Sequence, residues 1–284
     1  MTEALPAGSI SACIVAYNEE QVIERCLASL RGAVDEIVLV HDGPCSDRTL
    51  EIATEHDARV FVREHAGHGE HHRPFAYEQA LGEWVLRIDA DEFLSHEARA
   101  GLRELVRDAR ADGFELEWRM WDGTRYVTER GPYRLAVMRR SRIRLLGLIQ
   151  HAETVDGEVV RTDLLLEHRP LYNNFSLPVM ATKWMRWADV QAREYLADRR
   201  TAPAYRVAAG PWPLWRRLSN RLAPLLLLPH AAATFYLGFR RLDSLDLGLR
   251  IRFSLYQAIY VALVQVQLIR LLYLDPLRRR GAAR

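Results

Sequence analysis

Four short apolar runs alternate with helix-forming segments in the first part of the chain, and this alternation limits the possible folds more than any other feature. The runs are Ser9–Ala16, Glu36–Val40, Arg59–Val62 and Glu83–Ile88. Each is too short for a core helix, which is typical of a buried strand. Strands and helices in regular alternation predict an α/β fold with a mostly parallel sheet flanked by helices.

Two of the intervening helices have capping signals. Asn18 is a good N-cap residue, and apolar residues then recur at helical spacing up to Leu30, before Gly32 ends the helix. Ser46 is predicted to cap a second helix over residues 47–56. Parallel sheets bind ligands beyond the carboxyl ends of their strands, so the polar residues that follow the strands are the candidates for function.

The second half of the chain continues this pattern and then changes character. A helix is predicted over 96–110, and strands over 114–120, 133–138 and 158–166. After Pro170 the prediction is a helix over 179–196, a Pro/Gly/Ala-rich linker over 201–213, and apolar, basic helices over 216–239 and 242–274. The sequence therefore predicts one domain over residues 1–172 and a C-terminal helical region over residues 173–284.

The charges are unevenly distributed along the chain. Its 284 residues include 39 Lys and Arg against 37 Asp and Glu, but residues 201–284 hold 13 arginines and three aspartates, a net charge of +10. A basic region attracts nucleic acid or an anionic lipid surface. Leucine-rich runs between these arginines favour the lipid surface, so no nucleic-acid partner is expected.

The apolar C-terminal segments are predicted to lie on a membrane surface rather than to cross it. Phe253–Ile269 is a stretch of 17 residues without a charge, whereas a spanning helix needs about 20 apolar residues. Two amphipathic helices in the interface, with arginines at the headgroups, fit this composition. The alternative is a helical subdomain that packs on the rest of the chain or on a second copy, as in a homo-oligomer.

The cysteines and the N-terminus indicate the compartment. Three cysteines are too few, and odd in number, for a disulfide framework. Residues 1–8 lack the basic and apolar regions of a signal peptide. We therefore expect a protein of the reducing cytoplasm.

Acidic residues directly follow two of the predicted strands. Asp89-Ala90-Asp91-Glu92 comes after the fourth strand, and Asp42-Gly43 comes after the second. Two carboxylates at positions i and i+2 can face one hard cation, since Mg²⁺ and Mn²⁺ take oxygen ligands and keep positions for substrate phosphates. A lone Asp-x-Asp triplet is more often a solvated turn, but two acidic strand ends in neighbouring units favour a binding site.

Three motifs resemble those of family 2 glycosyltransferases, in that family's order and spacing. Residues 14–20 (IVAYNEE) resemble its opening strand, and Asp42-Gly43 with residues 46–49 (SDRT) resembles its Asp-Asp-Gly-Ser-x-Asp-x-Thr turn. Residues 80–92 (ALGEWVLRIDADE) are similar to its stretch ending in Asp-x-Asp. A looser likeness to a bacterial subgroup, which contains lipopolysaccharide-core glucosyltransferases, runs through residues 134–140, 151–155 and 168–172.

This resemblance implies a GT-A fold, a nucleotide-diphosphate sugar as donor, a divalent Mn²⁺ or Mg²⁺ ion and an inverting displacement at the anomeric carbon. It also implies the residues around the donor. Tyr17 and Glu19 would lie near the nucleobase, and Asp42 would accept hydrogen bonds from it. Arg73 would supply a cation near the nucleotide, and Asp89 would face the ribose or the donor sugar.

The same resemblance implies the reacting groups. Asp91 would bind the metal ion that neutralises the departing diphosphate. Glu153 would be the base that removes the proton of the acceptor hydroxyl, because the bacterial subgroup has an acidic residue there after a His. The alternative is an exposed glutamate beside the turn at 156–157. His168 would be a further ligand of the metal or the diphosphate, or else a structural histidine.

The second motif departs from the family pattern. His41 replaces the first Asp of its pair, and Pro44-Cys45 replaces a Ser and adds a residue, so an altered turn is expected. Residues 65–72 (HAGHGEHH) contain four histidines whose spacing matches no tetrahedral zinc pattern. A mobile loop with incidental histidines is the favoured interpretation.

Three aromatic residues further along the chain are candidates for sugar binding. Trp118, Trp121 and Tyr126 can stack on a sugar ring, although packing in the core is the commoner use of such residues.

The sequence as a whole predicts a metal-assisted, inverting glycosyltransferase at the inner face of the cell membrane, with a lipid-linked or cell-surface glycan as acceptor. Two alternatives stay open. A sugar-nucleotide nucleotidyltransferase also uses an α/β sheet and Mg²⁺, although the N-terminal segment lacks a Gly-rich, basic phosphate loop. The other is a non-catalytic, membrane-associated scaffold that binds sugar nucleotides, although Asp42, Asp89 and Asp91 are all present.

Overall fold

The computed structural model describes residues 5–107, 110–127, 130–146, 153–173, 176–196, 222–241 and 247–276. The chain divides into two units. The first comprises the chain up to Tyr126 together with Arg130–Tyr172, and the second comprises Val127–Glu129 and the chain from Asn173 onward.

The first unit is built on a mixed eight-stranded sheet. The strands of the unit are β1 (Ile10–Ala16), β2 (Glu36–Asp42), β3 (Arg59–Arg63), β4 (Trp84–Arg87), β5 (Glu92–Leu94), β6 (Gly113–Glu117), β7 (Tyr133–Arg139), β8 (Ile143–Leu145), β9 (Glu153–Val155) and β10 (Val159–His168). The large sheet has the order β3-β2-β1-β4-β7-β6-β10-β5, and β8 pairs with β9 alone.

The strand directions decide which strand ends meet at one edge of the sheet. β1 runs parallel to β2 and β4, and β2 runs parallel to β3. β7 is antiparallel to both β4 and β6, whereas β10 is parallel to β6 and antiparallel to β5. The carboxyl ends of six strands therefore lie at the same edge, namely those of β1, β2, β3, β4, β6 and β10.

Helices cover both faces of the sheet. In the described part of the unit they are α1 (Ile23–Leu30), α2 (Thr49–Glu55), α3 (Arg73–Gln79) and α4 (His96–Arg107). Alternate residues of the central strand β1 face opposite sides: Ile10, Ala12 and Ile14 join a cluster with α1, α2 and α4, while Cys13 joins a second cluster with α3. This arrangement confirms the predicted α/β fold with flanking helices.

The predicted start of the first helix is wrong. Asn18 has a φ of +52°, and its Oδ1 accepts the Ser46 N–H at 2.9 Å instead of capping a helix. α1 begins later, at Ile23, after a turn in which the Glu19 carbonyl accepts the Ile23 N–H at 3.0 Å. An Asn side chain can bond backbone groups in a turn as readily as at a helix start.

The cap predicted at Ser46 is also wrong, because Asp47 holds the start of α2. The Asp47 carboxylate accepts the Thr49 N–H at 2.9 Å and the Glu20 N–H at 3.1 Å. Since Glu20 lies in the turn after β1, this one carboxylate connects the turns that follow β1 and β2.

The described part of the second unit is helical. Its elements are α5 (Leu177–Val179), α6 (Met185–Leu196), α7 (Ala223–Arg241) and α8 (Leu247–Ile269), with π-helical turns at Met180–Trp184 and Arg270–Leu274. Ala188, Ala223 and Leu268 belong to one buried cluster that joins α6, α7 and α8. The linker predicted over 201–213 lies outside the described residues.

The second unit exposes much apolar surface. Leu225 and Leu228 of α7 are each 74 % exposed. Within the described ranges, one helix, the 28-residue Leu247–Leu274, is long and apolar enough to cross a membrane by length and composition. A contiguous apolar surface is commonly covered by lipid or by a protein partner.

Cys13, Cys26 and Cys45 are free thiols, in agreement with the sequence prediction. Cys13 and Cys26 are buried, and burial raises the pKa of the Cys26 thiol well above its usual value. These two thiols are therefore packing residues rather than nucleophiles.

Candidate active site

The candidate residues gather at the sheet edge where β1, β2, β4 and β10 have their carboxyl ends. Tyr17 follows β1, Asp42 ends β2, Asp89 and Asp91 follow β4, and His168 ends β10. Ligands of α/β sheets bind at this edge.

Asp89 lies between two arginine side chains. Arg73 Nη2 donates to its Oδ1 at 3.0 Å, and Arg134 Nη1 donates to its Oδ2 at 3.1 Å. Burial disfavours the charged carboxylate, but the guanidinium groups outweigh burial and lower the pKa of Asp89 to about 2. The side chain is 34 % exposed, so a ligand can reach an ionised and oriented carboxylate.

Arg134 also forms an ion pair with the buried Glu92. Glu92 Oε2 accepts the Asp89 N–H at 2.8 Å, and its Oε1 accepts the Trp118 indole N–H at 2.7 Å. Burial raises the pKa of Glu92 to about 7. Among the residues described, Nε and Nη2 of Arg134 are buried without a hydrogen-bond partner, and such groups can bind a ligand anion.

Asp91 and His168 form the second polar pair of the site. The register of β10 on β5 places His168 opposite Glu92, and His168 Nε2 lies 3.3 Å from Asp91 Oδ2. Trp118 stacks on the imidazole with the ring centres 4.4 Å apart. This stacking fixes the plane of the imidazole beside the carboxylate.

A carboxylate and an imidazole at this separation fit a Mn²⁺ or Mg²⁺ ion. Two ligands about 2.1 Å from one ion, at neighbouring octahedral positions, lie about 3.0 Å apart. In the part of the chain that the structure describes, no group of three or more His, Cys, Asp or Glu side chains is gathered as a cation site. Asp91 and His168 could supply two ligands to such an ion, and its other positions would then be left for substrate phosphates.

Two of the histidines in residues 65–72, the histidine segment, contact Asp42. His72 Nε2 lies 2.8 Å from Asp42 Oδ1, and the Ala66 N–H donates to the same oxygen at 2.6 Å. His65 Nδ1 lies 3.3 Å from Oδ2. Burial opposes ionisation, but these contacts lower the pKa of Asp42. The Asp42 side chain is only 2 % exposed, so it anchors the histidine segment.

His41, which stands where the family pattern has an Asp, is buried and bonded through both ring nitrogens. Nε2 accepts the Asn18 N–H at 3.1 Å, and Nδ1 lies 2.7 Å from the Gly43 carbonyl oxygen. An amide N–H only donates and a carbonyl only accepts, so the neutral ring carries its proton on Nδ1. His41 therefore joins the ends of β1 and β2 without adding charge.

Tyr17 and Glu19 lie in the turn after β1. Tyr17 is 50 % exposed, and its ring centre lies 4.9 Å from that of His65. The Glu19 N–H donates to Thr49 Oγ1 at 2.7 Å, which fixes the turn. An exposed aromatic ring of this kind can stack on a nucleobase.

Glu153 lies on β9 and is isolated from solvent. Its side chain is 0 % exposed and forms an ion pair with Arg87, and Arg73 Nη1 lies 3.7 Å from its Oε1. Burial raises the pKa of Glu153 against the opposing effect of Arg73. The alternative of an exposed glutamate beside a turn is wrong. Residues 151 and 152, which precede it in the looser likeness, lie outside the described residues.

Three contributors to this site are absent from the sequence prediction. Glu92 directly follows the Asp-x-Asp triplet, and Arg134 begins one of the stretches similar to the bacterial subgroup, so both had a sequence signal. His72 had only its place in the histidine segment. Its pairing with Asp42 depends on the fold, because the two residues lie 30 positions apart.

Comparison with known proteins shows the family to which this chain belongs. Residues 11–166, more than half of the chain, match the family described as Glycosyl transferase family 2. The chain belongs to this family. The three motifs at the ends of β1, β2 and β4 lie within the matched residues.

Two relatives illustrate the likeness. LpsC, the lipopolysaccharide core biosynthesis glycosyltransferase of Rhizobium meliloti, is 31 % identical over 183 residues, which are 59 % of this chain and 66 % of LpsC. An uncharacterised glycosyltransferase of Rickettsia felis is 39 % identical over 89 residues, which are 31 % of this chain and 30 % of that relative. The chain thus spans less than two thirds of the length of these relatives.

A solved structure shares the fold. The mannosyltransferase PcManGT from Pyrobaculum calidifontis, in complex with GDP-Man and Mn²⁺, superposes with a TM-score of 0.51 at 15 % identity, over 94 % of this chain and 89 % of that chain. This likeness confirms the predicted GT-A fold.

Proposed function

We propose that this protein transfers a sugar from a nucleotide-diphosphate sugar to a hydroxyl group of a glycan acceptor. One observation carries the proposal: an ionised, partly exposed Asp89 lies between two arginines, at the same strand end as the Asp91–His168 pair. Membership of the family supports it. The activities for which LpsC and the mannosyltransferase are named agree with it.

Asp91 and His168 would hold the divalent ion, Mn²⁺ or Mg²⁺. When bound, such an ion neutralises the negative charge that develops on the departing diphosphate, without a proton transfer. Trp118 keeps the imidazole oriented, so the two ligands need little rearrangement.

Asp89, Arg73 and Arg134 would orient the donor. The Asp89 carboxylate can accept hydrogen bonds from hydroxyl groups of the ribose or the donor sugar. The unpartnered N–H groups of Arg134 can donate to diphosphate oxygens. Arg73 holds Asp89 in place through Oδ1, whereas Arg134 binds Oδ2.

The nucleobase would lie at the ends of β1 and β2. Tyr17 offers an exposed ring there, and Glu19 lies in the same turn. Asp42 would act through the histidine segment, since His72 and Ala66 already use its Oδ1. Direct hydrogen bonds between Asp42 and the base stay a prediction.

The reaction would invert the anomeric centre by a single in-line attack, with a base removing the proton of the acceptor hydroxyl. The assignment of this base to Glu153 stays a prediction. The burial of Glu153 and its pairing with Arg87 support a positioning function, in which Glu153 holds Arg73 and Arg73 holds Asp89. The Glu153→Gln variant distinguishes the two functions.

The acceptor would be a lipid-linked or cell-surface glycan, and the protein would act at the cytoplasmic face of the cell membrane. The exposed leucines of α7 and the 13 arginines of residues 201–284 support peripheral contact with anionic lipid. A homo-oligomer would cover the same leucines.

Ligand-induced thermal stabilisation tests the proposal first. UDP, GDP, CMP and TDP are each added with and without Mn²⁺, and we expect one nucleotide to raise the Tm only when the metal is present. Transfer is then measured with the matching nucleotide sugar. No stabilisation by any nucleotide–metal pair would overturn the proposal.

Asp91→Asn is the decisive variant. It is expected to remove the metal-dependent stabilisation and to lower transfer by at least about a hundredfold. Asp163→Asn changes a carboxylate of β10 that is 83 % exposed, and is the control that keeps both properties. Full transfer by Asp91→Asn would contradict the metal assignment.

A further inference from the structure

A cavity in the first unit lies beside the start of α1, and none of its lining residues is assigned to the donor. Its volume is about 520 Å³, a size typical of small-molecule sites. Its polar and aromatic lining consists of Gln21, Glu24, Arg25, Trp121 and Arg169.

Two arginine side chains, Arg25 and Arg169, line this cavity. The guanidinium carbons of Arg25 and Arg169 lie 4.2 Å and 5.3 Å from the centre of the Phe93 ring. Arg25 Nη2 donates to the Arg169 carbonyl at 3.0 Å. Burial and the neighbouring charge of Arg169 lower the pKa of Arg25. An anionic ligand would relieve the repulsion between these like charges.

The carboxylates near Arg25 contact other side chains. Within the described residues, no carboxylate lies within ion-pair distance of Arg25, and its one hydrogen bond is made by Nη2. Glu24, the acidic residue of the lining, has its Oε1 2.9 Å from His56 Nε2. Glu167 accepts from Arg169 at 3.1 Å. The other donors of Arg25 are therefore available to a ligand.

Trp121 gives the cavity an aromatic wall. Its ring centre lies 5.1 Å from that of Tyr126 in an edge-to-face contact, and the Arg169 guanidinium lies 5.1 Å from the Trp121 ring centre. Arg169 Nε donates to the Tyr126 hydroxyl at 3.0 Å. An aromatic face held beside fixed polar groups suits the binding of a sugar ring.

The cavity adjoins the Asp91–His168 pair through the backbone. Arg169 directly follows His168, and its N–H donates to the Asp91 carbonyl at 3.1 Å. Arg169, which lines the cavity, is therefore connected through its backbone to the strand ends that carry Asp91 and His168.

We propose that this cavity binds an acidic saccharide, one that carries a carboxylate or a phosphate group, as the acceptor of the transfer. Arg25 and Arg169 bind the anionic group, and Trp121 stacks on the ring. The assignment of this saccharide as the acceptor rests on the proposed function, whereas its binding rests on the cavity alone.

Calorimetric titration of the full chain tests this binding without nucleotide or metal. The probes are methyl glucuronide, glucose 6-phosphate and the neutral methyl glucoside. We expect one anionic probe to bind at least about tenfold more tightly than the glucoside, as an ionic hydrogen bond provides. The preferred probe identifies the anionic group. Equal affinity for the glucoside, or no binding of either anionic probe, overturns the proposal.

Arg25→Gln is expected to lower the affinity for the anionic probe about tenfold and to leave the affinity for the glucoside unchanged. Arg31→Gln, directly after the same helix and exposed, is the matched control that keeps the affinity. Unchanged affinity in Arg25→Gln overturns the proposal. Metal-dependent stabilisation by nucleotides is measured in parallel, and its absence contradicts the proposed function alone, because probe binding needs no nucleotide.

Discussion

Arg134 holds two carboxylates with one guanidinium group. It pairs with Asp89 and Glu92, and in the described structure two of its nitrogens are still buried without a partner. A lysine can supply the charge, but it cannot present several N–H groups in one fixed plane. The geometry of this side chain therefore matters as much as its charge.

We expect Arg134→Lys to weaken the binding of a nucleoside diphosphate by about tenfold or more, measured by titration in the presence of Mn²⁺. Arg161→Lys is the control, because Arg161 pairs with Glu115 at 2.9 Å on the surface. Equal affinities of the two variants would show that Arg134 does not bind the diphosphate.

Glu153 is the residue at which two functions make opposite kinetic predictions. Because its carboxylate is buried and holds Arg73, we expect Glu153→Gln to raise the KM for the donor more than it lowers kcat. Steady-state kinetics over a range of pH measures both quantities. Loss of a general base would instead lower kcat by about 10²–10⁴-fold with an unchanged KM. That result would identify Glu153 as the general base.

At the scale of elements, Asp47 connects the turns after β1 and β2. Burial raises its pKa, but the hydrogen bonds from Thr49 and Glu20 outweigh burial, and the net effect lowers the pKa of Asp47 to about 2. The unfolded chain then binds more protons than the native chain below about pH 4. The stability that Asp47 contributes is complete above that pH and is lost as the pH falls towards 2.

Asp47→Asn should therefore flatten the loss of stability between about pH 4 and pH 2, because the charge is gone while an acceptor oxygen remains. Thermal unfolding of both proteins across this range measures the effect. Asp47→Ala should cost about 1 kcal/mol at neutral pH, since the acceptor is also removed. The exposed Asp163→Asn serves as control, and an identical acid profile for wild type and Asp47→Asn would contradict the prediction.

The longer strands could be predicted from the sequence, but β5, β8 and β9 could not. Each has three residues, too few to show an alternation, and their pairing arises from contacts with distant strands. The two helix caps failed for a related reason, since Asn18 and Asp47 bond to neighbouring turns that only the fold brings close.

The candidate site was predictable where one strand end supplies it. Asp89 and Asp91 follow β4 together, so a local motif reveals both. The arginines that hold Asp89 come from positions 16 and 45 residues away, and the burial of Glu153 comes from the packing of β9. No local sequence pattern predicts that residues so far apart in the chain come into contact.

At the scale of the whole molecule, the exposed leucines of α7 predict which surface of the protein binds a lipid membrane. Replacing Leu225 and Leu228 by serine should lower co-flotation with anionic vesicles by about tenfold or more, because apolar area no longer enters the lipid. Val62→Ser changes a residue of β3 that is 55 % exposed and should have no effect. Unchanged flotation, with a dimer lost in light scattering, would assign these leucines to a second copy.

The antiparallel pairing of β10 with β5 also determines when the site can exist during synthesis. Asp42, Asp89 and Asp91 leave the ribosome early, but His168 reaches Asp91 only after β10 has emerged and docked beside β5. A ligand that contacts both side chains therefore stabilises only those chains whose sheet is complete. The growing chain cannot form the Asp91–His168 pair before the last strand of its sheet is in place.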